Sequence, residues 1–291
     1  MPEPAAAMRG KTVVVTGSTS GIGEVAALRL AEAGARIVLV ARDRGRAEAT
    51  LRKLEASSTG VEHALHLGDL SRTAEVRRVG EAIAAAEPRI DVLINNAGAM
   101  ISELEVTDEG FERTFATNHL SYVVLTAALR DRLLASAPAR IVNTASDAHR
   151  MARLDWTDLQ SKRDYGGFQA YCCTKLYNIL FTRELARQLD GSGVVANCLH
   201  PGLVNSRFGS NATGPGRLGL SIAKSIFGVS PEKGARTIIH LASAPEAADV
   251  TGDYWVKQRP ARTTAIAADP AAAERLWQAT LALLQGRRDE A

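Results

Sequence analysis

Lys11-Thr-Val-Val-Val-Thr-Gly-Ser-Thr-Ser-Gly-Ile-Gly23 runs from an unbroken β-branched stretch into three glycines and then into an amphipathic helical pattern. Val13, Val14 and Val15 read as a parallel strand covered on both faces, because a strand with one wet face would alternate apolar and polar residues. Gly17 permits a tight turn, Gly21 lets backbone N–H groups approach an anion, and Gly23 lets the following helix lie close to the strand. A helix is expected from Ile22 to about Ala33, its positive dipole end over the loop, so the space above the loop suits a diphosphate. The Gly-x3-Gly-x-Gly spacing is neither the Gly-x-Gly-x-x-Gly fingerprint nor a P-loop, since no Gly-Lys-Ser/Thr follows. Taken alone, the glycines serve equally well in a plain strand-to-helix turn.

Outward from this stretch the chain alternates strands and helices. Gly34 ends the first helix and Ile37-Val-Leu-Val40 supplies a second buried strand, whose tip reads Ala41-Arg42-Asp43. In dinucleotide-binding folds an acidic residue at this tip accepts bonds from the adenine ribose, whereas an arginine suits a 2′-phosphate. Arg42 therefore favours NADP over NAD, unless it is an ordinary strand-end residue with Asp43 capping the next helix. Further strands are expected at Val61–Leu67, Asp91–Gly98, Arg140–Thr144, Val194–Leu199 and, last, Asp253–Val256. Asp69, just past the third strand, either contacts an adenine or, with Ser71, caps the helix starting near Arg72. Helices are expected to about Ala56, across Thr107–Ser136 with a break at Gly110, from Tyr171 to about Leu189, from Pro231, and from Pro270 to Leu284. Asp147–Phe168 reads as a surface excursion. This alternation implies an α/β fold, a doubly wound parallel sheet with helices on both faces.

The 291 residues, 46% hydrophobic and 23% charged, are enough for one sizeable domain. We read residues 1–9 as a flexible tail and 10–291 as that domain, with 203–229, rich in Gly, Ser and Asn, as a substrate lid. A net charge of +3 without a basic block speaks against nucleic acid as a partner. Three cysteines, two of them adjacent, have neither metal-ligand spacing nor a disulfide framework, which predicts no metal and a reducing, cytoplasmic setting. No apolar run reaches the roughly 18 to 20 residues of a membrane span.

The chemistry concentrates at Ser146 and Tyr171-Cys-Cys-Thr-Lys175. The four-residue spacing puts Tyr171 and Lys175 on one helix face, a turn apart. A phenol, near pKa 10 by itself, becomes an acid/base group near neutrality only if a charge such as the Lys175 ammonium stabilises its phenolate. Ser146, at a strand tip, can donate to a substrate carbonyl oxygen that the phenol protonates.

In order along the chain, Thr16-Gly-Ser-Thr-Ser-Gly-Ile-Gly23, Asp69-Leu70, Asn95-Asn-Ala-Gly98, Asn118, Ser146, Tyr171-x3-Lys175 and His200-Pro-Gly202 resemble the short-chain dehydrogenase/reductases. The sequence around Tyr171–Ala186, Gly191-Ser-Gly193 and Gly252-Asp-Tyr-Trp255 is similar to their retinol dehydrogenase-like branch. The resemblance implies a single-domain Rossmann-type fold and hydride transfer between a nicotinamide and an alcohol, aldehyde or ketone. It implies that Tyr171 is the general acid/base and that Lys175 lowers its pKa and binds the nicotinamide ribose. Ser146 would orient the substrate oxygen, and Asn118 would hold a water in a proton relay. Gly17, Ser20, Ile22 and Gly23 would lie by the diphosphate, Asp69 and Leu70 by the adenine, and Asn96, Ala97 and Gly98 under the adenosine ribose. Pro201, Gly202 and Val204 would lie by the nicotinamide, and Arg42 matches the basic position of NADP-preferring members, with NAD(H) the second option. Pairing into a homo-oligomer would use the helices containing Asn118 and Tyr171. Membrane-bound members of the branch carry an apolar N-terminal anchor, which Met1–Arg9 lacks, so a substrate other than retinol is expected. An NADP-binding sensor without catalysis is the alternative, but it predicts damage to Ser146, Tyr171 or Lys175. A sugar-nucleotide epimerase would space its glycines differently.

Overall fold

A computed structural model describes residues 8–58, 60–202 and 229–286. Its core is a sheet of eight strands: β1 (Thr12–Thr16), β2 (Arg36–Ala41), β3 (Ala64–Leu67), β4 (Val92–Asn95), β5 (Ala139–Thr144), β6 (Val194–His200), β7 (Tyr254–Val256) and β8 (Arg259–Pro260). They lie in the order β3-β2-β1-β4-β5-β6-β7-β8. The first seven are parallel and β8 returns antiparallel to β7. Strand order reverses between β1 and β4, the place where open α/β sheets leave a crevice at their carboxyl edge.

Successive residues of β1 serve opposite faces, as the twofold repeat of a strand demands. Val14 packs with Val79 and Ile83 of α3 (Thr73–Ala86) and Leu125 and Leu129 of α5 (Ser121–Ala135). Val13 and Val15 pack instead with Ala27 and Leu30 of α1 (Gly21–Glu32) and with Ile238 of the helix Pro231–Ser243. Burial on both sides is why these strands read as continuous apolar runs.

Several local expectations change. The N-terminal tail is held from Met8 onward: its side chain is buried among Ala27, Leu30 and Ile37, and its N–H donates to the Ala33 carbonyl. The stretch 107–112 is not helical, because Val106 bridges Glu112 and the chain enters α4 (Arg113–Phe115) only afterwards. A π turn, Ala116–Leu120, then separates α4 from α5. α6 (Gly167–Gln188) begins one turn before Tyr171 rather than at it. That start is possible because a side chain at Gly167 would collide with the Ile101 carbonyl, 2.0 Å away. The antiparallel β8 has no counterpart in the sequence reading, being two residues long with a proline at its exposed edge. Numbering the remaining helices in order, α7 is Pro231–Ser243, α8 is Ala265–Ala268 and α9 is Pro270–Gln285. Of the expected lid at 203–229, residues 203–228, Val204 among them, lie outside the described residues.

Candidate active site

The phosphate loop is fixed from the neighbouring strand. Thr16 Oγ1 accepts from the N–H groups of Asn96 (2.9 Å) and Ala97 (3.1 Å), and Asn96 Nδ2 donates to the carbonyls of Thr16 (3.1 Å) and Gly17 (3.2 Å). Gly17 has φ +64°, and a Cβ there would stand 2.7 Å from Ala97 Cα. A Cβ on Gly23 would lie 2.3 Å from the Gly17 carbonyl oxygen. The loop therefore closes on backbone, as the sequence reading required. Ser20 is the exposed N-cap of α1, yet its side chain makes no capping bond. Asp43 accepts from Arg46 N–H to cap α2 (Arg44–Ser57), and Ser230 and Asp269 likewise cap α7 and α9. α1 thus offers its first-turn N–H groups to an anion, which fits a diphosphate.

A cleft of about 330 Å³ opens beside this loop, lined by Gly17, Arg42, Asp69, Leu70, Ala97 and Gly98 among others. Arg42 projects from the end of β2 with its guanidinium 3.9 Å from the Asp69 carboxylate. Burial pushes the Asp69 carboxyl upward, but hydrogen bonds from the N–H and hydroxyl of Ser71, with the charges of Arg42 and Arg113, bring it below the ordinary value. Asp69 does not cap α3. That end is capped from a distant loop, where Glu109 accepts from the N–H groups of Thr73 (2.6 Å) and Ala74 (2.9 Å).

Beyond Gly98 the cleft meets α6. A Cβ on Gly98 would stand 3.4 Å from Asn118 Oδ1 and 3.6 Å from Lys175 Nζ, so the absence of a side chain keeps both approachable. Asn118, inside the π turn, clamps Ala99 from both sides: Oδ1 accepts from its N–H (2.7 Å) and Nδ2 donates to its carbonyl (2.8 Å) and to Thr174 Oγ1 (3.1 Å). Lys175 is buried, donates to the Thr144 carbonyl (3.0 Å), and sits 5.5 Å from the centre of the Tyr171 ring. Burial lowers its ammonium to about 7. Burial likewise raises the Tyr171 phenol to about 12, against a hydrogen bond from Ser146 that pulls it down. Ser146 Oγ also accepts from Ala148 N–H (3.1 Å) at the start of a 3-10 turn, Asp147–Met151. The phenol is thus protonated near neutrality, and burial, not the lysine charge, is the largest influence on both groups.

The sequence profile of the short chain dehydrogenases matches residues 11–214. The chain is 40% identical over 281 residues to retinol dehydrogenase 13 of Homo sapiens, covering 94% of this chain and 84% of that one. It is 38% identical to Homo sapiens retinol dehydrogenase 14 over 93% of this chain and 85% of that one. This chain belongs to the short-chain dehydrogenase/reductases, in their retinol dehydrogenase-like branch. Among solved structures, an uncharacterized protein from Mycobacterium paratuberculosis superposes with a TM-score of 0.76 at 30% identity, covering 95% of this chain and 94% of that one. L-Sorbose reductase from Gluconobacter frateurii, complexed with NADPH and L-sorbose, gives 0.69 at 26% identity, covering 87% and 96%.

Like its family, this short-chain dehydrogenase/reductase is a nicotinamide-dependent oxidoreductase acting on CH–OH and C=O groups. Among the described residues no helix is long and apolar enough to cross a membrane. Asn118, Ser146, Tyr171 and Lys175 are not in the lining of the cleft: Asn118 and Lys175 stand behind Gly98, which is, and Tyr171, with Ser146, lies beside Lys175. Ser20, Ile22, Gly23 and Asn96 are not in its lining: Gly23 and Asn96 build the loop from beneath, and Ser20 heads α1. Pro201 and the half-buried Gly202 (φ +91°) follow β6, where a Cβ on Gly202 would approach Val229. Sequence reasoning missed Arg46 and Arg113, which line the cleft from α2 and α4. Arg46 carried a weak signal, standing three positions beyond its cap Asp43. Arg113 carried none, since the fold alone brings it to the site.

Proposed function

We propose that this enzyme transfers a hydride between NADP(H) and the alcohol or carbonyl carbon of a lipophilic small molecule, using NAD(H) less well. One observation carries this reading: a single cleft has Arg42 on one side and Gly98 on the other, where Asn118 and Lys175 begin. Arg42, Arg46 and Arg113 line it with Asp43, Asp69 and Glu105, and of the three arginines Arg42 has the longest ion pair, 3.9 Å to Asp69, which leaves its guanidinium for a 2′-phosphate in preference to a free hydroxyl. When bound, the cofactor supplies or takes the hydride. Tyr171 gives its phenolic proton to the carbonyl oxygen in reduction, and Ser146 holds that oxygen by a hydrogen bond. Lys175 stabilises the phenolate as it forms and, with Asn118 beside it, connects the site to a proton relay. The relatives named retinol dehydrogenases support a lipophilic substrate. Three buried cysteines without a disulfide support a reducing, cytoplasmic setting.

The test is oxidation of NADPH and of NADH with a panel of aliphatic and aromatic aldehydes and ketones. The proposal expects a higher kcat/KM with NADPH and better turnover of longer apolar substrates. Equal use of both cofactors would overturn the NADP assignment, and preference for short hydrophilic carbonyls would overturn the substrate class.

A further inference from the structure

Behind Ser146 lies a charged cluster that the catalytic constellation does not use. Asp147, the next residue, sends its carboxylate toward the first residue of β7 and the last residue of β6. Oδ1 accepts from the Tyr254 hydroxyl on β7 (3.0 Å) and from Arg150 Nε (3.2 Å). Oδ2 lies 3.7 Å from Nε2 of His200, the last residue of β6 and the one before Pro201-Gly202. Tyr254 is buried, and β5, β6 and β7 are in continuous parallel register there, with Thr144 opposite Leu199 and Cys198 opposite Tyr254.

The surroundings fix the state of this tie. Beside Asp147 and His200 stand His149, whose Nδ1 is 2.7 Å from the Ser146 carbonyl and whose ring meets Tyr254 edge-on at 5.1 Å, and Arg150, which also donates to the Arg262 carbonyl. Burial lowers the His200 pKa, with Asp147 opposing, so the imidazole is neutral at physiological pH. Its Nδ1 is buried with no hydrogen-bond partner among the described residues. The tautomer that leaves least unsatisfied carries its proton on Nε2, aimed at the Asp147 carboxylate.

We propose that Asp147 is a positioning residue that sets the His200–Pro201–Gly202 turn against the Ser146 hydroxyl, and so fixes the nicotinamide end of the site. This rests on the reading of Ser146 and that turn given above. The carboxylate belongs to the segment following Ser146 and stands 3.7 Å from His200, the residue leading into the turn. Misplacing reacting groups by about 1 Å can lower rates roughly a hundred-fold. The adenosine end, built on β1 and β2, is untouched by this tie.

The experiment compares NADPH with 2′,5′-ADP, a fragment lacking the nicotinamide, by calorimetric titration of wild type, Asp147→Asn and Tyr254→Phe, with kcat measured alongside. Asp147→Asn keeps the size and the acceptor for Tyr254 but removes the charge facing His200. It should weaken NADPH roughly three- to ten-fold and lower kcat about ten-fold, leaving 2′,5′-ADP affinity unchanged. A merely structural role would lower the melting temperature and weaken both ligands alike, or neither, and either result overturns the proposal. If Asp147→Asn does not fold, Tyr254→Phe decides by the same criterion. Failure of wild type to bind NADPH at all would instead refute the functional reading on which the proposal stands.

Discussion

On the proposed reading, cofactor choice turns on Arg42. It is largely exposed and its only ion-pair partner among the described residues is Asp69 at 3.9 Å, a long contact that leaves the guanidinium available. Charge-assisted bonds to a 2′-phosphate at so open a site belong at the low end of their range, about 1.5 kcal/mol. Arg42→Ala is therefore expected to weaken NADPH roughly ten-fold and NADH hardly at all, as read by fluorescence titration of both. Gly23 makes a sharper demand. Its missing Cβ would lie 2.3 Å from the Gly17 carbonyl and 2.4 Å from Asn96 Nδ2, so Gly23→Ala forces backbone apart. The expected cost is roughly 1 to 3 kcal/mol of stability together with loss of NADPH binding, measured by denaturant unfolding and titration. Gly23 was readable in the sequence because its role is local, a loop-to-helix step, and the place of Arg42 at a strand tip was readable for the same reason. Asp147 was not readable as a tether, since Tyr254 and His200 reach it only through the order of strands in the sheet.

At the scale of elements, α6 carries Tyr171 and Lys175 and is buried almost all round. Only a few of its residues, Phe168, Arg187 and Gln188 among them, are exposed. The reason is α9, which packs along it, with Trp277 stacked on Phe181 at 5.6 Å and 10° and Leu276 buried beneath. α5 is covered in the same way by α3. α9 and α3 thus cover part of the helices that the family resemblance would use for pairing, and sedimentation of the intact protein tests whether their exposed residues pair two copies. Leu276→Ala should cost roughly 2 to 5 kcal/mol and lower kcat through α6, checked by chemical unfolding and initial rates. The strands and most helices were legible from periodicity and punctuation. The π turn that sets Asn118 was not, because nothing in Ala116–Leu120 departs from ordinary helical composition. Nor was the cap of α3 by Glu109, which comes from beyond the next strand. Such contacts are consequences of the fold and leave no trace in local pattern.

For the molecule as a whole, acid should be more damaging than the modest net charge implies. Five of the six histidines, His63, His66, His119, His149 and His200, have their pKa lowered by burial. His119, wedged among Phe115, Tyr177 and Phe181 with Nε2 on Thr280, falls from 6.5 to about 4. Between those two values the unfolded chain binds a proton that the folded one refuses, so stability is full above pH 6.5 and declines as pH falls toward 4. His119 alone accounts for roughly 3 kcal/mol. Thermal unfolding across pH 4 to 7 checks this, and His119→Gln is expected to flatten the profile. The claim that everything else serves is that Tyr171 gives the proton while the cleft holds NADPH. The most direct measurement is carbonyl-dependent NADPH oxidation by Tyr171→Phe, with NADPH affinity determined on the same preparation. Loss of turnover by about a thousand-fold or more with affinity within roughly two-fold of wild type is the predicted result. Substantial turnover by the folded variant would contradict it.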